Sequence, residues 1–144
     1  MKRNSKLSVA LHSLIHVALH EDGPMTSEEL ARCLSTHPVV VRRTLGELRK
    51  SGLVRSEKGH GGGWSLTKAP HKIALLDVYV AIGEQLLPEV KKPDDDEQCV
   101  VIKCMASTMG EFVDEARSLL ESRLRRISLK TFLDEIDRVV VPEV

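Results

Sequence analysis

Between residues 59 and 64 the chain reads Gly59-His60-Gly61-Gly62-Gly63-Trp64. Four glycines in five residues mark backbone that other residues enter only at a cost, so the stretch is a tight turn and not a helix interior. Just before it lies Val41-Arg42-Arg43-Thr44-Leu45-Gly46-Glu47-Leu48-Arg49-Lys50-Ser51-Gly52-Leu53-Val54. Val41, Leu45 and Leu48 have helical spacing, and the segment then runs into a strand at 53–57. A second strand follows the glycines at 63–67. Helix, strand, glycine turn and strand in this order predict a fold that is mainly α with a small β-hairpin wing, a winged helix-turn-helix. Such an order points to nucleic acid as the partner.

The remaining elements follow from periodicity and punctuation. Leu7, Ala10, Leu11, Leu14, Ile15, Val17 and Ala18 predict a helix from Ser5 to about His20, with Ser8, His12, His16 and His20 on its wetter side. Asp22-Gly23-Pro24 ends it. Thr26-Ser27-Glu28-Glu29 opens a second helix, to about Leu34, with acids where the helix dipole favours them. Pro38 suits the first position of a third helix, capped from Ser35, Thr36 or His37 and stopped by Gly52. Ile73–Ile82 reads as a helix and Leu87–Gln98 as a solvated loop. Thr108-Met109-Gly110-Glu111 matches a capping box opening a long helix, with apolar Met109, Phe112, Val113, Ala116, Leu119, Leu120, Leu124 and Ile127. A short helix is expected over Leu129–Ile136. The expected organisation is a DNA-binding domain at 1–83, a loop or sensor segment at 84–104 and a helical dimerisation region at 105–144.

The net charge of zero conceals an asymmetry. Residues 1–72 carry twelve Lys and Arg against six Asp and Glu, and residues 73–144 carry nine against fifteen. The basic half suits a polyanion and the acidic half would be repelled by one. No apolar run is long enough to span a membrane. The basic N-terminus, Met1 to Ser5, is followed by a segment carrying His12, His16 and His20 and lacks a small-residue cleavage site, so a secretory signal is not expected. Three cysteines, Cys33, Cys99 and Cys104, are too few for a disulfide scaffold, and the expected setting is cytoplasmic with reduced thiols.

Val39, Arg42, Arg43, Glu47, Arg49 and Lys50 are expected outside or on the flanks of the third helix. Arginine pairs bidentately with guanine in the major groove, and flanking cations hold phosphates. The bland alternative is a solvated basic helix face, and the glycine wing weighs against it. A nucleotide-binding loop is not supported: Trp64 stands where a phosphate fingerprint needs glycine, and no Gly-Lys-Ser/Thr is present. Lys58 and His60 are placed on the wing, and Trp64 reads as its packing anchor.

These motifs resemble the BadM/Rrf-two family of bacterial winged-helix transcriptional regulators over nearly the whole chain. The carrying residues are Ser5-Lys6, Gly23-Pro24, the segment Leu45 to Val54, Gly61-Gly62-Gly63-Trp64-Ser65-Leu66 and Ile73-Ala74-Leu75-Leu76-Asp77-Val78, with Val113-Asp114-Glu115-Ala116 and Ser128-Leu129. The resemblance implies a homodimer whose long helix crosses its mate, and double-stranded operator DNA bound by two recognition helices and two wings. By position it implies base reading by His37, Val39, Arg42 and Arg43, and a wing cation at Lys58. Members with an iron–sulfur cluster often carry acidic and amide residues at the positions of Arg42 and Arg43, so a different DNA sequence is expected here.

Some members hold that cluster on three closely spaced cysteines near the long helix. This chain has only Cys99 and Cys104 there, too few within one chain, so no cofactor is expected, with a cluster shared between subunits as the alternative. The two are candidate redox-sensing residues. Lys103 favours a reactive thiolate at Cys104, while the acids before Cys99 act against one. The alternative is inert thiols, with Cys104 packed as a small hydrophobe. His12, His16 and His20 recur every four residues, but no neighbouring carboxylate or thiol completes a metal site. The expected function is a sequence-specific DNA-binding regulator, a homodimeric repressor without a cluster, responsive to thiol chemistry or an effector, and not an enzyme. The alternatives are a winged-helix module for protein–protein contact and a thiol-based redox enzyme. No Cys-x-x-Cys or catalytic histidine supports the latter.

Overall fold

A computed structural model of the chain describes residue 2 and residues 5–140. Met1, Arg3 and Asn4 of the basic N-terminus, and 141–144 of the expected dimerisation region, lie outside the described residues. The elements are α1 (Lys6–Leu19), α2 (Ser27–Leu34), α3 (Pro38–Lys50), β1 (Val54–Glu57), β2 (Gly63–Leu66), a 3-10 turn at Pro70–Lys72, α4 (Leu75–Ala81), α5 (Val100–Arg126) and α6 (Leu129–Val140). Two compact units result. One takes in the described residues up to Glu84 together with those from Arg125 onward; the other is Gln85–Leu124.

Local chemistry sets the helix ends in the first unit. Ser5 caps α1, its Oγ accepting from the Ser8 N–H at 3.2 Å. Thr26 and Glu29 form a reciprocal capping box on α2: the Glu29 N–H donates to Thr26 Oγ1 at 3.1 Å and the Thr26 N–H donates to Glu29 Oε2 at 2.8 Å. The Thr26 N–H bond, joined by the Thr26 hydroxyl donating to Glu29 Oε2 at 3.1 Å, holds the Glu29 carboxyl below the usual carboxylate range. Ser35, at φ 52, ends α2 in left-handed backbone.

The core of this unit is one apolar cluster. Leu14, Leu30, Leu45, Leu48, Ile73 and Leu129 lie wholly or almost wholly inside it, each contributing roughly 1.5–3 kcal/mol relative to exposure. Lys6 donates to Glu47 Oε1 at 3.0 Å and to the Ile82 carbonyl at 3.1 Å, tying α1 to α3 and to the end of α4. The segment after α5 returns to the core by strand-like pairing. The Leu75 N–H donates to the Ile127 carbonyl at 2.7 Å, and the Leu129 N–H to the Ile73 carbonyl at 2.9 Å.

Several sequence expectations are corrected. The long helix starts at Val100, eight residues before the expected Thr108, which lies inside it. Residues 100–107 contain no glycine or proline to stop a helix, and a capping-box pattern does not cap when the turn before it is already helical. The fourth helix starts at Leu75, because Ile73 and Ala74 are extended to pair with residues 127–129. Asp77 then accepts from the Ala74 N–H at 2.9 Å. Ser8, expected on the wet side of α1, is buried. The last helix extends to Val140.

Candidate nucleic-acid interface

The turn between α2 and α3 is built from three residues. After Ser35 reverses the chain, the Thr36 N–H donates to the Ala31 carbonyl at 3.0 Å. His37 then caps α3, its Nδ1 accepting from the Val39 N–H at 3.2 Å. In the neutral imidazole this leaves the proton on Nε2. Pro38 occupies the first helical position, where its missing N–H has no cost.

Burial fixes the orientation of α3. Val41, Thr44, Leu45 and Leu48 face the core. Val39, Arg42, Arg43, Arg49 and Lys50 are exposed. Val39, Arg42, Arg43 and Lys50 share one face by helical spacing. Val39 is 48% exposed, an apolar group suited to a thymine methyl. Arg42 Nη2 sits 3.5 Å from Glu28 Oε1 on α2, and both side chains are more than half exposed. Such a pair contributes about 0–1 kcal/mol, so Arg42 can leave it for a base or phosphate. Among the described residues, Arg43, Lys50 and Lys58 make no ion pair.

The wing is an antiparallel hairpin in which Val54 faces Leu66 and Glu57 faces Gly63. Lys58 and His60 lie exposed at its tip. Next to its turn the hairpin is anchored at three points. The Trp64 N–H donates to the Met25 carbonyl at 2.7 Å, and the Met25 N–H donates back at 3.1 Å. The buried Trp64 ring donates from Nε1 to Ser27 Oγ at 3.0 Å. Arg49 lies 6.0 Å from the Trp64 ring centroid and donates to Ser56 Oγ at 3.1 Å. Gly63 has φ +143, and a Cβ there would come within 2.5 Å of the Met25 carbonyl oxygen, so only glycine lets the second strand close onto residue 25.

All eight residues expected at a DNA surface are therefore exposed, and two carry further duties: His37 caps α3 and Arg49 braces the wing. Glu28 was not foreseen. Fourteen residues separate it from Arg42, and only the packing of α2 on α3 brings them together.

Cys99 lies just before α5 and Cys104 within its second turn; both are exposed, so Cys104 does not pack as a small hydrophobe. Cys33 is exposed on α2, in the other unit. Among the described residues no group of three or more His, Cys, Asp or Glu is placed to hold a metal ion. Near the start of α5 the chain supplies two cysteines, Cys99 and Cys104, where an ordinary cluster takes four ligands. His12 and His16 meet edge to face at 6.3 Å between ring centroids. No helix among the described residues is long and apolar enough to cross a membrane.

The fold and the exposed basic helix define a winged helix-turn-helix protein. The Rrf2 family model, described as an iron-dependent transcriptional regulator, matches residues 3–135. YwnA of Bacillus subtilis (strain 168), which bears the name of an HTH-type transcriptional regulator, is 32% identical over 133 residues, covering 92% of this chain and 98% of that one. The HTH-type transcriptional regulator IscR of Aliivibrio salmonicida is 30% identical over 131 residues, covering 90% of this chain and 75% of that one. A crystal structure described as that of a DNA-binding protein superposes with a TM-score of 0.72 at 33% identity, over 90% of this chain and 99% of the other. The chain belongs to the Rrf2 family of transcriptional regulators.

Proposed function

We propose that the protein is a homodimeric repressor that reads operator DNA through α3 and the wing. The observation that carries this reading is the outer face of α3, where Val39, Arg42, Arg43 and Lys50 stand exposed over a fully buried opposite face. Arg42 and Arg43 read base edges, with His37 and Val39 beside them at the N-terminal end of the helix. Lys50, Lys58 and His60 hold backbone phosphate, and Arg49 acts chiefly by fixing the wing. Residues 1–83 are the DNA-binding part, 84–104 the sensing segment and 105–144 the dimerisation part.

Dimerisation is supported by a stripe on α5. Val101, Met105, Met109, Phe112 and Leu119 fall on one helical face and all are exposed, Phe112 by 65%. A continuous apolar stripe about 27 Å long is what a second copy of the same helix would cover. Without a third nearby cysteine, the protein works without a cluster and without catalytic chemistry. Its signal reaches the 84–104 segment as a small molecule or as oxidation of Cys99 or Cys104.

Sedimentation at increasing concentration tests the dimer, and Phe112→Glu is expected to give monomers. The Arg42→Ala/Arg43→Ala protein is expected to lose specific DNA binding at fixed salt while keeping its fold. Unchanged operator affinity in that variant overturns the reading and favours a module for protein contact.

A further inference from the structure

Glu47 is the one acid on α3, and it stands four residues after Arg43 and three before Lys50. At these spacings side chains share a face of the helix, and opposite charges ordinarily pair. Yet among the described residues neither Arg43 nor Lys50 makes an ion pair, and Glu47 Oε1 accepts instead from Lys6 Nζ on α1 at 3.0 Å. Lys6 is held from a second side as well. It donates to the Ile82 carbonyl at 3.1 Å, at the C-terminal end of α4, where a helix favours a cation.

The other carboxylate oxygen, Glu47 Oε2, is buried and accepts no hydrogen bond among the described residues. In this rotamer the carboxylate therefore depends on the Lys6 ammonium group. Without that group it has to turn toward solvent to recover a partner, and Arg43 and Lys50 are the cations that helical spacing puts within its reach. Both stand on the face proposed to meet DNA. An exposed pair of this kind competes with a DNA contact by a factor of about 1.4–2.3, and two half-sites multiply this to about two- to fivefold.

We propose that Lys6 is a positioning residue for operator reading: by holding Glu47 it keeps the one acid of α3 away from Arg43 and Lys50. The inference deepens the reading of α3 as the DNA-contacting helix and rests on it. Its test is a double-variant cycle of Lys6→Met and Glu47→Gln in the full-length protein. Binding is followed by fluorescence anisotropy at one salt concentration, on a duplex selected by the parent protein and on an unrelated duplex. Lys6→Met is expected to bind the selected duplex about two- to fivefold more weakly than the parent. Glu47→Gln is expected to leave the parent affinity within about 1.5-fold and to return the Lys6→Met protein to that level. A direct phosphate contact by Lys6 would instead give Glu47→Gln the same effect in both backgrounds. A purely structural tie would leave the double variant as weak as Lys6→Met. Either result, or undiminished binding by Lys6→Met, overturns the proposal. Should Lys6→Met not fold, Lys6→Gln, which loses the charge and keeps a donor, carries the same expectations. A parent protein that does not prefer the selected duplex removes the operator reading and this inference with it. A parent that does prefer it, with no coupling between residues 6 and 47, removes this inference alone.

Discussion

Arg42 reaches back from the outer face of α3 to Glu28 on α2, with 3.5 Å between Nη2 and Oε1. A residue proposed to read bases is thus held in readiness by a weak, exposed partner. Glu28 also places a negative charge beside the proposed DNA-reading face of α3. Glu28→Gln is expected to tighten operator binding by two- to tenfold, about 0.4–1.4 kcal/mol. Arg42→Ala is expected to weaken binding and to abolish the gain from Glu28→Gln in the double variant. Fluorescence anisotropy at one salt concentration measures all four proteins. Weaker binding by Glu28→Gln would show that the pair orients Arg42 and does not compete for it.

Arg49 and Lys50 are adjacent cations with different surroundings. Arg49 lies over Trp64 and bonds Ser56, so Arg49→Ala is expected to lower unfolding free energy by about 1 kcal/mol. Lys50→Ala is expected to leave the urea midpoint alone and to reduce the salt slope of DNA binding by about one. Equal stability of the two variants would remove Arg49 from its bracing role.

Glycines at two positions make opposite predictions. Gly63→Ala forces a Cβ onto the Met25 carbonyl at a positive φ, and is expected to destabilise by about 1–3 kcal/mol. Gly46 lies inside α3 with nothing within 4 Å of an added Cβ. Gly46→Ala is expected to stabilise by about 0.5–1 kcal/mol. Thermal unfolding of both variants beside the parent checks the pair.

The wing and α3 were legible because their signals are local: a glycine run, a proline at the helix start, and Val41, Leu45 and Leu48 at helical spacing. The start of α5 was not. Thr108 to Glu111 has the composition of a cap, and nothing in those four residues shows that Val100–Ser107 is already helical. Ile73 has helical neighbours in sequence, yet its backbone is claimed by pairing with residues 127–129, more than fifty positions away. Ser8 falls on the histidine side of α1 by periodicity but is covered in the packed core. Partners of this kind, including Glu28 for Arg42 and Ser27 for Trp64, are set by tertiary packing and leave no local pattern.

Burial, reinforced by the neighbouring His12, holds the His16 imidazole below its ordinary value. The unfolded chain takes up that proton near pH 6.5, and the folded protein only at lower pH. Between those two values the unfolded state binds more protons. Stability is therefore full above about pH 6.5 and falls as pH drops through the window. His16→Gln is expected to flatten this dependence in urea midpoints taken across the window. Parallel profiles for parent and variant would mean that His16 does not contribute.

Selection of bound duplexes from a random pool tests the central claim most directly, run side by side with the parent protein and the Arg42→Ala/Arg43→Ala variant. The parent is expected to enrich a palindromic site, its half-sites spaced by about one helical turn or a multiple of it. The variant, folded to the same circular dichroism spectrum, is expected to enrich none. No enrichment by the parent, or the same motif recovered by both proteins, would contradict base reading by α3.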